Sequence, residues 1–226
     1  MQAISPRLDQ GRDWVGAAAG ALFVILTVVG VGVGGDHPLS TGPIEPIRSR
    51  FLADPGPFAI QVSNYIHMVA DLLLVVFGAR IARRLWIGNQ PTGAAVAMAA
   101  TIIAAGVELI ENALLSVLAF SVVADGDVGA IRALYALRHI LLAYFYFPLA
   151  LLAFAVAVVA LAGRLFPRWY GWATAVFGAI LLSGGADVAR SGFFRSQGPY
   201  WFYTLLLFVL WVLITSGLLL RRVRST

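Results

Sequence analysis

WVGAAAGALFVILTVVGVGVG, residues Trp14 to Gly34, holds no ionisable side chain. A helix of about 21 such residues crosses a hydrocarbon core of roughly 30 Å, because each residue rises about 1.5 Å and the backbone polar groups are satisfied within the helix. Arg7 and Arg12 precede the run, as the basic segment of a signal peptide would. The run is longer than the roughly 7–15 residues of a cleaved apolar segment, so it reads as a retained first span. Working outward, further spans are expected at about 61–82, 94–122, 131–162, 169–190 and 200–220. The third and fourth exceed the bilayer and are expected to tilt or protrude. The expected fold is all-α: a polytopic transmembrane helical bundle of about six spans, with residues 1–226 as one domain.

Composition agrees. Of 226 residues, 60% are hydrophobic and 12% charged, and the mean hydropathy is +0.87. Soluble chains carry roughly twice that charged share. Without Cys, disulfides, iron–sulfur clusters and thiolate metal sites are excluded. Without Lys, so is Schiff-base chemistry on lysine, a retinal linkage included. The net charge of +5 comes from arginines flanking apolar runs, which fits anionic lipid headgroups in a bilayer and gives no reason to expect nucleic acid.

The arginines also set an orientation. Arg7, Arg12, Arg80, Arg83, Arg84, Arg164, Arg168, Arg221, Arg222 and Arg224 fall on one side of the expected spans. Arg48, Arg50, Arg132, Arg190 and Arg195 fall on the other, with Asp36, Glu45, Asp54, Asp125 and Asp127. The positive-inside rule then places both termini in the cytoplasm, and the expected location is a bacterial cytoplasmic (inner) membrane. The extracytoplasmic loop 35–60 carries Pro38, Pro43, Pro46, Pro55 and Pro57, enough to disfavour a regular helix. It reads either as a lid over an outward-facing cavity or as a plain surface connection.

Ionisable residues inside a bilayer are costly and usually mark function. His67 and Asp71 lie four apart and share a helix face. So do Glu108, Glu111 and Asn112, at positions i, i+3 and i+4. The fourth span carries Tyr135, Arg138 and His139; the fifth ends in Asp187 and Arg190. Counting inward at about 1.5 Å per residue puts all of these in the outer and middle membrane, and no such set marks the cytoplasmic third. One polar pocket between spans two to five is expected. Two acids on one face exceed what a single arginine neutralises, so one is expected to keep its proton and to serve as a donor. The plain alternative is that these groups only pair with one another and hold helices together. Trp14, Trp86, Trp169, Tyr170, Trp172, Tyr200, Trp201 and Tyr203 suit interfacial anchors, whereas Tyr144, Tyr146 and Phe147 lie deeper.

The stretch Arg164-Leu165-Phe166-Pro167-Arg168-Trp169-Tyr170-Gly171-Trp172 leads into a Gly-rich span and resembles the FPRW-x-G signature of a bacterial six-span membrane family of unknown function. The run Asp71-Leu72-Leu73-Leu74-Val75-Val76 and His139 early in span four are similar to that family too. Size, multiple spans and scattered intramembrane acids also resemble the small integral-membrane terpene cyclases, whose members often have seven spans. That second resemblance implies protonation of an alkene or epoxide by an embedded carboxylic acid. The leading expectation is therefore an enzyme acting by acid–base chemistry on an apolar isoprenoid or lipid-like substrate, without a cofactor. Asp71, Glu108, Glu111, His139 and Asp187 are its candidate catalytic residues. His67, Asn112, Tyr135, Arg138, Tyr144, Tyr146, Phe147 and Arg190 are its candidate substrate contacts, the aromatic faces stabilising cations. The alternatives are a proton-coupled transporter or sensor, and a protein binding haem through His67 and His139 or a metal through these acids and histidines.

Overall fold

A proline decides where the longest apolar segment breaks. Pro148 has no N–H to offer the carbonyl of residue 144, and the helix is interrupted at Phe145. The computed structural model describes residues 12–35, 38, 42–162, 165–185, 192–194 and 198–220; every element among them is helical, with no strand. The helices are α1 (Trp14–Gly34), α2 (Ile44–Leu52), α3 (Gly56–Ile87) and α4 (Pro91–Val117). A π-helical turn (Leu118–Val122) and the short α5 (Val123–Asp125) prolong α4. Then come α6 (Val128–Tyr144), α7 (Tyr146–Leu161), α8 (Arg168–Gly184) and α9 (Pro199–Leu219). Among the described residues five helical segments are long and apolar enough to cross a membrane: α1, α3, α4 through α5, α6 with α7, and α9. The expected fifth span is α8, of 17 residues.

The segment 35–60 corrects an expectation, because it does contain a helix. Pro43 precedes α2 and Pro46 lies in its first turn, where backbone N–H groups have no partner within the helix and a proline costs nothing. Likewise Pro57 sits in the first turn of α3, which starts several residues earlier than the hydropathy suggests.

Small residues set the pairing of the long helices. A Cβ at Gly20 of α1 would stand 2.8 Å from Phe77 Cδ2, and one at Gly30 would stand 2.7 Å from His67 Cε1. These contacts run α1 antiparallel against α3 with backbones close, the packing that small residues allow where lipid removes the hydrophobic drive. Gly78 against Thr101 does the same between α3 and α4, and Gly171 and Gly178 lay α8 antiparallel along α7. The α9 helix closes the bundle on α1, through Gly16 beside Leu219 and Phe23 edge-on to Phe208 at 5.7 Å.

One end of the bundle is rich in arginine. Asp13 caps α1 by accepting from Gly16 N at 2.9 Å, takes Arg80 Nε on both oxygens at 2.9 Å, and its backbone N–H donates to Leu219 O at 3.0 Å. Arg84 donates to Leu218 O at 3.1 Å and lies 5.3 Å from the Phe166 ring centre. At the other end α2 forms a cap. Its Ile47 and Phe51 are buried with Ile60, Leu118, Ile131 and Tyr135. Three hydrogen bonds hold the cap segment: Tyr135 Oη to Pro38 O at 2.8 Å, Arg132 Nη1 to Gly42 O at 3.3 Å, and Arg50 Nη2 to Gly34 O.

Candidate functional site

Beneath the cap lies a cavity of about 410 Å³, within the roughly 300–1,000 Å³ range of ligand pockets. Its polar wall comes from three helices. Along α3 the spacing Asn64, His67, Asp71 places three polar side chains on one face, and Glu108, Glu111 and Asn112 do so on α4. The α6 helix adds Arg138. The opposite wall is aromatic and aliphatic: Phe23 and Val31 of α1, Phe145 and Tyr146 at the break before Pro148, and Trp201, Phe202, Leu205 and Phe208 of α9.

Glu111 is held by Arg138, whose Nε faces its Oε1 in an ion pair buried on both sides. Asp71 is different. It is only 3% exposed, lines the cavity, and its Oδ2 has no hydrogen-bond partner. Glu108 also faces the cavity, and its charge and that of Glu111 act on Asp71. The cavity thus holds three carboxyl groups against one guanidinium, so protons or a ligand must balance the excess.

Neighbouring hydrogen bonds fix the rest of the polar wall. Asn64 Nδ2 donates to Asn112 O at 3.2 Å and to Ser116 Oγ at 3.0 Å, which locks α3 to α4. Asn112 Nδ2 donates to Glu108 O at 3.0 Å. Ser63 Oγ donates to Gly30 O at 2.8 Å and lies 3.4 Å from His67 Nδ1, so the imidazole stands between α1 and α3 at the cavity edge.

Of the residues singled out in the sequence, His67, Asp71, Glu108, Glu111, Asn112, Arg138 and Tyr146 converge on this cavity. Four others do not. The ring of His139 is buried behind the wall, its Nδ1–H donating to Tyr135 O at 2.7 Å. Tyr135 belongs to the packing under the cap and gives its hydroxyl to Pro38. Tyr144 and Phe147 do not line the cavity and are 54% and 42% exposed. Asp187 and Arg190 lie outside the described residues. No three His, Asp or Glu side chains among the described residues are grouped as a metal site, which leaves the metal alternative without a ligand set. The haem alternative keeps only His67 at the cavity.

The sequence reading missed Asn64, although it sits three before His67 and seven before Asp71 on the same face. It also missed the walls from α1 and α9, whose apolar residues differ in no chemical way from those facing lipid. In comparison with known proteins, the chain matches no family model, no curated protein and no solved structure.

Proposed function

We propose that this chain is a six-span enzyme of a bacterial inner membrane, with both ends in the cytoplasm, that acts on an apolar isoprenoid or lipid-like substrate by acid–base chemistry. Protonation-initiated cyclisation of a terpene is its concrete form, and kinship with the membrane terpene cyclases or the FPRW-x-G family belongs to the same proposal. The observation that carries it is the pairing of Asp71, buried with a free carboxylate oxygen, and Glu108 with an aromatic wall across one cavity. The antiparallel packing of α8 along α7 supports counting α8 as a span. The arginines around Asp13 and Arg84 support that end as cytoplasmic.

In this reading Glu108 donates its proton to an alkene carbon of the substrate. The π bond supplies the electron pair for the new C–H bond and leaves a tertiary cation on the neighbouring carbon. A second alkene closes the ring on that cation, and the resulting cation loses a proton to the Asp71 carboxylate. Proton transfer from Asp71 to Glu108 restores the starting state, so nothing beyond the substrate is consumed. The rings of Phe145, Tyr146 and Phe208 present π faces or edges to the cavity and stabilise the cation. Glu111, held by Arg138, is a positioning residue that keeps the wall rigid.

Transport is the competing reading. Leu74, Phe77 and Ile81 follow Asp71 along α3 as fully buried apolar residues, packed with Ala97, Leu152 and Val156. This apolar layer between the cavity and the arginine end favours chemistry over passage. The test is turnover of a panel of polyprenyl alkenes and epoxides by the purified protein in liposomes. Glu108→Gln should lower the rate by about 10²–10⁴-fold, the usual worth of a general acid. Wild-type protein that is folded but inert across the panel, or a Glu108→Gln variant as active as wild type, would refute the proposal.

A further inference from the structure

The walls of the cavity are not equally closed. The α1 and α9 helices touch where Gly16 meets Leu219 and Phe23 meets Phe208. Phe23 and Phe208 form the inner part of the cavity wall, and nearer the cap end α1 lines it through Val31 and α9 through Phe202 and Leu205. Val31 is 47% exposed and Phe202 51%. A side chain that both lines a cavity and stands half exposed marks its mouth. Both flanking helices are apolar enough to span a membrane, and each of the two residues lies close to its helix's cap end, so an opening between them meets the lipid at its outer boundary.

The far wall selects by charge. With Glu111 occupied by Arg138, the carboxyl groups of Asp71 and Glu108 face whatever enters. An anionic headgroup would find the one lining guanidinium among the described residues already paired with Glu111, and would lie without a partner in a medium of low dielectric, where an unpaired charge is costly. An alcohol, a carbonyl, an amine or a plain alkene would not.

We propose that the ligand is a long-chain lipid carrying no negative charge, and that it enters sideways from the bilayer through a mouth between Val31 of α1 and Phe202 of α9. This rests on the reading of the cavity as the site of an apolar substrate, and it adds the route and the exclusion of phosphate-bearing lipids.

The chain has no cysteine, so a single thiol placed by Leu205→Cys reports on the cavity. In proteoliposomes we expect an alkyl-chain maleimide dissolved in the bilayer to label it several-fold faster than a sulfonated, water-borne thiol reagent. Adding Val31→Trp should slow the alkyl reagent several-fold, and adding Phe202→Ala should speed it. A long-chain alcohol should protect the thiol, whereas the alkyl phosphate of equal length should not. Faster labelling from water, indifference to both mouth substitutions, or equal protection by the phosphate would overturn the proposal. Labelling needs no turnover, so a bundle that admits lipids without transforming them fails the enzyme test and still passes this one.

Discussion

Arg138 shows how much one side chain can decide. It is the single cation lining the cavity among the described residues, and both it and Glu111 are buried. Arg138→Met leaves the Glu111 charge without its partner. That should destabilise the protein by about 3–5 kcal/mol, the range for a broken buried pair. Replacing both, as Arg138→Met with Glu111→Leu, removes the charges together and should recover most of the loss. Unfolding in mixed micelles measures both; a single variant as stable as the double one would show that the pair is not the source of the effect. At this scale much was legible beforehand. Periodicity puts Glu108 and Glu111 on one helix face, and counting depth inward along each span brings Asp71 and Arg138 to a similar level. His139 does not reach the cavity: its Nδ1–H goes to a carbonyl four residues back on its own helix, a local choice of rotamer that spacing does not reveal.

Among the elements, the α1–α3 seam depends on the absence of side chains. A Cβ at Gly20 collides with Ser216 Oγ and with Phe77, so three helices meet at that position. Gly20→Leu should separate α1 from α3 and α9 and cost about 1–3 kcal/mol or more, as overpacking does. The corresponding change at Gly32, where a Cβ meets nothing, should be nearly silent. Thermal denaturation of the two variants makes the comparison; equal melting temperatures would contradict this packing. Helices were more legible than their interruptions. Apolar length foretold α1, α3, α4, the joined α6 and α7, and α9, but not the break between α6 and α7. It could not foretell α2, a short helix that starts where a cluster of prolines argues for none, because proline is harmless in a first turn.

For the molecule as a whole, the ends of α1, α3 and α9 are tied at Asp13. Burial acts to raise the Asp13 carboxyl, but hydrogen bonds from Arg80 and Gly16 and the charges of Arg80 and Arg83 outweigh it and hold it below its ordinary value of 3.8. A carboxyl with a lowered folded value stabilises fully above the unfolded one and loses that contribution as pH falls through the lowered value. Wild type should therefore melt higher than Asp13→Asn at neutral pH, and the gap should close as pH falls below about 3.8. A gap that persists into strong acid would mean that Asp13 acts through its shape alone. The sequence of long apolar helices was readable from hydropathy. The chamber's outline was not, since the apolar side chains of α1 and α9 that enclose it look in sequence like any facing lipid.

The apolar layer formed by Leu74, Phe77 and Ile81 has a bioenergetic consequence for the proposed reaction. Protons exchanged between Asp71 and Glu108 would meet these side chains on any path toward the arginine end. Turnover would then carry no net charge across the bilayer, and would neither draw on a membrane potential nor dissipate it.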